Sequence, residues 1–251
     1  MGERRRAVFY EIKIYLSTPV AFQTKKKIYP IHFDGLLTAL TVFKNGVVDN
    51  PLPQEAACIE LPLNRAGGKK WVWKASCMKI DQSKSRVARD IWTGSTTWTD
   101  FVPFESKLNP GSGIYRAKAG ILMLLITPYI KFYIDTDNIN GVVALLNELT
   151  HIGSRVSAGY GEIKNIEIRK IKHDYSLIDE DGYVARHIPV SEVTTPDPRW
   201  AVDYAGYRSP YYFYPFYDMC YVPPLERYWP YRRPEDVIQK LLSVSGSKKR
   251  S

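Results

Sequence analysis

Three glycines, Gly153, Gly159 and Gly161, enclose Ser154, Arg155, Ser157 and Tyr160 in the run HIGSRVSAGYGEI at 151–163. Glycine lets a backbone approach another chain closely and turn successive N–H groups outward, which makes a concavity for anions. Arg155 adds a planar guanidinium whose geometry suits phosphate. Taken singly, each glycine also fits a plainer role as a helix cap or a bulge at the start of a strand. The combined spacing, with arginine inside it, favours anion binding. No Gly-Lys-Ser/Thr opens a helix here, so this is not a Walker loop, and the glycines precede a strand, which excludes a dinucleotide fingerprint.

A second cluster occupies residues 64–118, where eleven Lys/Arg stand against four Asp/Glu and Trp71, Trp73, Trp92 and Trp98 lie among the bases. Lys69, Lys70, Lys74, Arg86 and Arg89 have the chemistry to neutralise phosphates. Exposed indoles such as Trp71 and Trp73 can stack on unpaired bases for about 1–3 kcal/mol each. On a strand, Trp71 and Trp73 share one face, with Lys70, Val72 and Lys74 on the other. Tryptophans buried beneath a solvated charged face fit the same pattern. Of the histidines, His32, His151, His173 and His187, none has metal-ligand spacing. His32, just before a helix start, is the one placed to act as a general base on a ribose 2′-hydroxyl, with Tyr29 as companion; a capping or phosphate-contacting role is the commoner one.

The elements that must position these residues follow from periodicity. Residues 7–17 alternate as a strand, and 162–171 alternate strictly. HFDGLLTALTVFKNG places Leu36, Leu37, Leu40 and Phe43 on one helical face, with Asp34 as N-cap and Asn45-Gly46 as the stop. NINGVVALLNELTHIG spaces Val142, Val143, Leu145, Leu146 and Leu149 helically, capped by Asp137 or Asn138 and ended by Gly153. Residues 56–63 form a further strand ending at Pro62, and 119–137 one bent strand or a broken pair. Without residues 64–118, the order is strand, helix, strand, strand, helix, strand. This predicts an α+β protein with a ferredoxin-like βαββαβ core over 7–171. The basic segment 64–118 is expected to protrude from it as an insertion. Residues 172–251 are expected to form an irregular Tyr/Pro-rich extension, with nine of the eighteen tyrosines between Tyr204 and Tyr231 and a basic end at Lys248, Lys249 and Arg250. So many aromatics must pack on the core or on a partner.

The chain has 251 residues and a formal net charge of +9, from 35 Lys+Arg against 26 Asp+Glu. A 45% hydrophobic content excludes wholesale disorder. Cys58, Cys77 and Cys220 show neither CxxC nor Cys/His spacing, which argues against zinc and disulfides and for reduced thiols in the cytoplasm. The apolar run from Gly120 to Ile130 is too short for a membrane span and contains Pro128. No cofactor is expected, and nucleic acid is the default partner for this charge balance.

HIGSRVSAGYGEI, HFDGLLTAL (32–40) and the later ARHIPV (185–190) together resemble the RAMP superfamily of CRISPR effector subunits. Its members carry a glycine-rich loop between the last helix and last strand of a ferredoxin-like unit. Within it, the size and the tryptophan-bearing insertion most resemble the subunit that holds the 5′ handle of CRISPR RNA in type IV effectors. The resemblance covers residues 7 to about 190. It implies a non-catalytic subunit capping the 5′ end of the guide. Its insertion would be a thumb, with Lys69, Lys70, Trp71, Trp73, Lys74, Arg86 and Arg89 belonging to it. The implied partners are CRISPR RNA, the repeated backbone subunit and the large subunit; separately, the charge of Lys69, Lys70 and Lys74 suggests a contact with the duplex flanking target DNA. The guide itself would read the target by base pairing. An alternative is a metal-independent endoribonuclease of the same superfamily that cuts repeat RNA with His32 as general base. A plain RNA-recognition domain fits less well, because no K/R-G-F/Y run is present.

Overall fold

The computed structural model describes residues 8–22, 29–44, 53–94 and 118–230. The expected features at Asn45-Gly46, Trp98, Tyr231 and Lys248–Arg250 lie outside them. The fold is mixed α+β, with far more strand than helix. Its strands are β1 (Phe9–Leu16), β2 (Val20–Phe22), β3 (Arg65–Ala66), β4 (Val72–Trp73), β5 (Arg86–Gly94), β6 (Lys118–Ile126), β7 (Tyr129–Asp135), β8 (Ile163–Ile171), β9 (Ile188–Pro189), β10 (Ala201–Gly206) and β11 (Tyr217–Val222). The α-helices are α1 (Phe33–Lys44), α2 (Pro53–Ala57), α3 (Ile139–Leu146) and α4 (Leu225–Tyr228).

Alternation builds the central sheet. β1 lies between β7 and β8, antiparallel to both, so Ile12 faces Phe132 and Ile168, and Ile14 faces Ile130 and Ile166. These apolar positions share one side with Phe33, Leu37 and Leu40 of α1 and Val142, Leu145 and Leu146 of α3, forming the main core. The opposite side carries Glu11, Lys13 and Tyr15, the other half of the period. α3 is capped by Asn138, whose side chain accepts from the Gly141 N–H at 3.0 Å, and ends at Leu146, well before Gly153.

Several expectations need correction. Residues 56–63 are not a strand: Pro53 opens the short helix α2 and the chain then runs irregularly to Asn64. The edge of β7 is met instead by residues 75–79, through bridges Ala75–Ile134 and Lys79–Lys131 and hydrogen bonds from Ser76 N to Tyr133 O (2.8 Å) and Lys79 N to Lys131 O (2.8 Å). Trp73, Ala75, Cys77, Met78 and Ile80 are buried in the main core, so residues 73–80 do not protrude. Of the two alternatives for 119–137 the broken pair is the one observed: the run divides at Thr127-Pro128 into β6 and β7, which join different sheets, Pro128 having no N–H for a ladder. β6 pairs with β2 and β5. In α1, Phe43 is 73% exposed, and Asp34 sits inside the first turn, fully buried, and is not the cap.

The C-terminal extension is not irregular throughout. β10, β11 and β9 make a further antiparallel sheet, and Tyr228 and Trp229 insert into the main core. The joint is made by Arg186 of ARHIPV, completely buried, which pairs with Asp34 of HFDGLL at 3.3 Å. Arg186 also donates to the carbonyls of Trp73, Ala75 (3.0 Å) and Tyr207 (2.8 Å) and to the Tyr211 hydroxyl (2.9 Å). An ion pair in so dry a place persists only with its remaining hydrogen bonds filled, and these are.

Candidate nucleic-acid interface

The glycine loop lies between α3 and β8 and leans on β2. Ser154 donates from both its backbone N–H (2.9 Å) and its hydroxyl (2.8 Å) to the Ala21 carbonyl, and Gly161 N–H donates to Pro19 O (2.8 Å). Thr18 straps the far side, its hydroxyl donating to Gly159 O (2.7 Å) and accepting from Glu162 N–H (2.9 Å). The chain turns through left-handed conformations at Gly153 (φ +96°), Arg155 (φ +59°), Gly159 (φ +83°) and Gly161 (φ +69°). Two of the glycines do opposite jobs. A Cβ on Gly161 would lie 1.8 Å from the Ile152 carbonyl oxygen, whereas one on Gly159 would meet nothing within 4 Å. Gly161 is therefore required by packing and Gly159 only by its dihedral.

Residues 156–159 at the tip, Ser157 and Gly159 among them, are exposed. The backbone N–H groups of Gly153, Arg155, Val156, Ser157 and Tyr160 have no hydrogen-bond partner among the described residues. The other four from 153 to 161 are held within the protein, so fewer donors are free than the sequence alone suggests. Arg155 lies with its guanidinium 3.8 Å from the centre of the Trp92 ring, and its Nε is buried without a partner. Trp92 in turn covers Gly120 on the neighbouring strand, where a Cβ would come 2.4 Å from the indole nitrogen. Tyr160 donates its hydroxyl to Asp90, and this bond raises the Tyr160 pKa. Loop and β5–β6 hairpin are thus joined at two points, through Trp92, which the sequence marks only as one of four tryptophans among the bases, and Asp90, which it does not mark. Arg86 and Arg89 extend from the same hairpin, exposed and without a carboxylate partner among the described residues.

The remaining basic and aromatic candidates are placed differently. Trp73 is 3% exposed and packs edge-on against Trp71, with the Arg65 guanidinium 4.0 Å from the Trp71 ring and that of Arg208 3.8 Å from it. Trp73 belongs to the core, and Trp71 is covered by two guanidinium groups. Lys70 pairs with Asp218, which raises its pKa. Lys74 pairs with Asp135 and Asp174; burial lowers its pKa, but those hydrogen bonds outweigh it and the net shift is upward. These two lysines hold the C-terminal segment to the core and are not free for phosphate. Lys69 is exposed.

His32 is 5% exposed, stacked on Tyr211 at 4.2 Å and met edge-on by His187 at 4.4 Å. Burial, then the His187 ring and the Arg186 charge, hold its pKa well below that of an ordinary imidazole, so it is neutral at pH 7. Both its ring nitrogens are buried without a hydrogen-bond partner. Among the described residues no group of three His, Cys, Asp or Glu side chains could hold a metal ion, and no helix is long and apolar enough to cross a membrane.

Comparison with known proteins gives three findings. One chain of a Type III-B Cmr-beta complex bound to cognate target RNA, solved by cryo-EM, aligns at 14% identity with a TM-score of 0.38. The alignment covers 65% of this chain and 61% of that one. No curated protein matches. The family profile described as CRISPR type IV associated protein Csf3 matches residues 10–223, so the chain belongs to that family.

Proposed function

We propose that this protein is a non-catalytic subunit of a type IV CRISPR effector complex that holds the 5′ handle of the guide RNA. The observation that carries the proposal is the exposed glycine loop, with five backbone N–H groups unpartnered among the described residues and the Arg155 guanidinium lying over Trp92. Such a cluster suits the phosphates of a sharply turned single strand. Arg86 and Arg89 on the hairpin would continue the cationic track, with Lys69 at a separate exposed site. The repeated backbone subunit and the large subunit are the proposed protein partners.

The same proposal covers the fold. With residues 75–79 taken as the strand beside β7, the sheet order runs β8, β1, β7, 75–79, the order of a ferredoxin-like unit with both helices on one face. The β5–β6 pair would then belong to the inserted thumb.

The test is binding and cleavage of repeat-derived RNA by the purified full chain in EDTA. The expected result is binding without cutting. Arg155→Ala should weaken binding about ten-fold and reduce the salt dependence by roughly one phosphate contact. Clean cutting that His32→Ala abolishes would overturn the proposal in favour of the endoribonuclease.

A further inference from the structure

Beside the loop lies a cavity of about 590 Å³, inside the range of small-molecule sites. Three distant stretches build it: the approach to α1 from Tyr29 to Leu36, the loop base at Ile152-Gly153, and the tyrosine-rich chain around β10 and Tyr211–Tyr217. No Lys, Arg, Asp or Glu is among its lining residues. The nearby Arg186 is engaged by Asp34 and by carbonyl groups. A phosphate or carboxylate therefore has no counter-charge here. Tyr29, Tyr204 and Tyr212 are 61%, 50% and 63% exposed, large flat surfaces for a soluble chain to show to water.

The lining sets five tyrosines and two histidines among the aliphatic Pro30, Ile31, Leu36, Ile152 and Ala205. His32 lies in it, a neutral imidazole with one donor and one acceptor nitrogen and no partner for either. A flat ring that carries both donors and acceptors on its edge matches this chemistry better than an alkyl or phenyl group does. Single-stranded RNA is read this way, by splayed bases stacked on aromatic side chains and hydrogen-bonded at their edges. Gly153 belongs both to this lining and to the loop, so a strand held there passes the cavity. We infer that the cavity is a subsite for one unstacked nucleobase of the bound RNA, next to the phosphate held at Gly153. This rests on the RNA-binding function proposed above and adds a place where a base is inspected.

The experiment compares two probes: a short RNA pool of randomised sequence, about twelve nucleotides long, and an abasic ribose-phosphate oligomer of equal length. Full-length protein and a Tyr204→Ala/Tyr212→Ala variant are titrated with each, and thermal melts confirm that the variant folds. Both tyrosines are exposed, so folding should survive. The expected result is that the variant loses roughly ten-fold in affinity for the base-bearing RNA, the worth of one stacked base, and nothing for the abasic oligomer. Tyr204→Phe/Tyr212→Phe should restore most of the loss. Equal affinity of wild type and variant for the base-bearing RNA would overturn the subsite while leaving RNA binding intact. So would a variant that binds RNA normally but fails to join its partner subunits, which would assign the cavity to a protein side chain. No binding of either probe by wild type would overturn the RNA function and the subsite together.

Discussion

Replacing Gly161 and Gly159 separately by alanine isolates close packing from backbone strain within a single loop. Both residues have left-handed φ, and an alanine forced there costs about 1–2 kcal/mol. A smaller unfolded-state entropy gain of roughly 0.4–1 kcal/mol offsets part of this. Gly159→Ala meets no atom within 4 Å, so its net cost should be about 1 kcal/mol. Gly161→Ala places a methyl 1.8 Å from the Ile152 carbonyl, which must move. That movement disturbs two hydrogen bonds, Ile152 N to Gly161 O (2.9 Å) and Gly161 N to Pro19 O (2.8 Å). Each is worth about 1 kcal/mol, and more if a buried group is left unpaired. The total for Gly161→Ala is about 3–5 kcal/mol, roughly ten degrees of melting temperature for a chain this long. Urea unfolding followed by tryptophan fluorescence reads both values. Equal costs for the two variants would refute the division of labour between these glycines.

Asp34→Ala leaves Arg186 charged in a dry interior and should cost about 3–5 kcal/mol, whereas Asp34→Leu with Arg186→Met should cost less than the single change; urea unfolding of the three proteins checks this. Burial pushes the Cys77 and Cys220 thiols up to about 12, so iodoacetamide at pH 8 should label Cys58, which is exposed, and spare the other two until the protein unfolds, as read by mass spectrometry. His32 has a lower pKa folded than unfolded, so below about pH 6.5 the unfolded chain takes up a proton that the native state does not. Stability should fall by about 1.4 kcal/mol for each pH unit through that window, and His32→Phe should flatten the slope measured by unfolding at pH 7, 6 and 5.

What was legible in the sequence was local. The alternation around Ile12 and Ile14 and around Ile166 and Ile168 marked two strands, because a sheet with one covered face imposes a period of two. The glycine loop was legible for a similar reason, since its dihedrals need glycine at positions close together. Residues 65–80 were misplaced because Lys70, Lys74 and Lys79 make the run look solvated. Each of those lysines meets a carboxylate remote in sequence, Asp218, Asp135 with Asp174, and Glu180. The pairing lets Val72, Trp73, Ala75, Cys77 and Met78 enter the interior. Residues 56–63 have strand-like composition, yet the edge of β7 is already bridged by 75–79. Asp34 and Arg186 stand 152 residues apart, and Trp92 and Arg155 also meet across a long interval; no window on the sequence holds either pair.

The most direct measurement is ultraviolet crosslinking of guide RNA to this subunit inside the assembled type IV complex, with the linked peptides identified by mass spectrometry. Linked residues within 153–161 and at Trp92, joined to nucleotides of the 5′ handle, are the predicted result. Crosslinks confined to other surfaces, with the loop covered by a protein partner, would contradict the account.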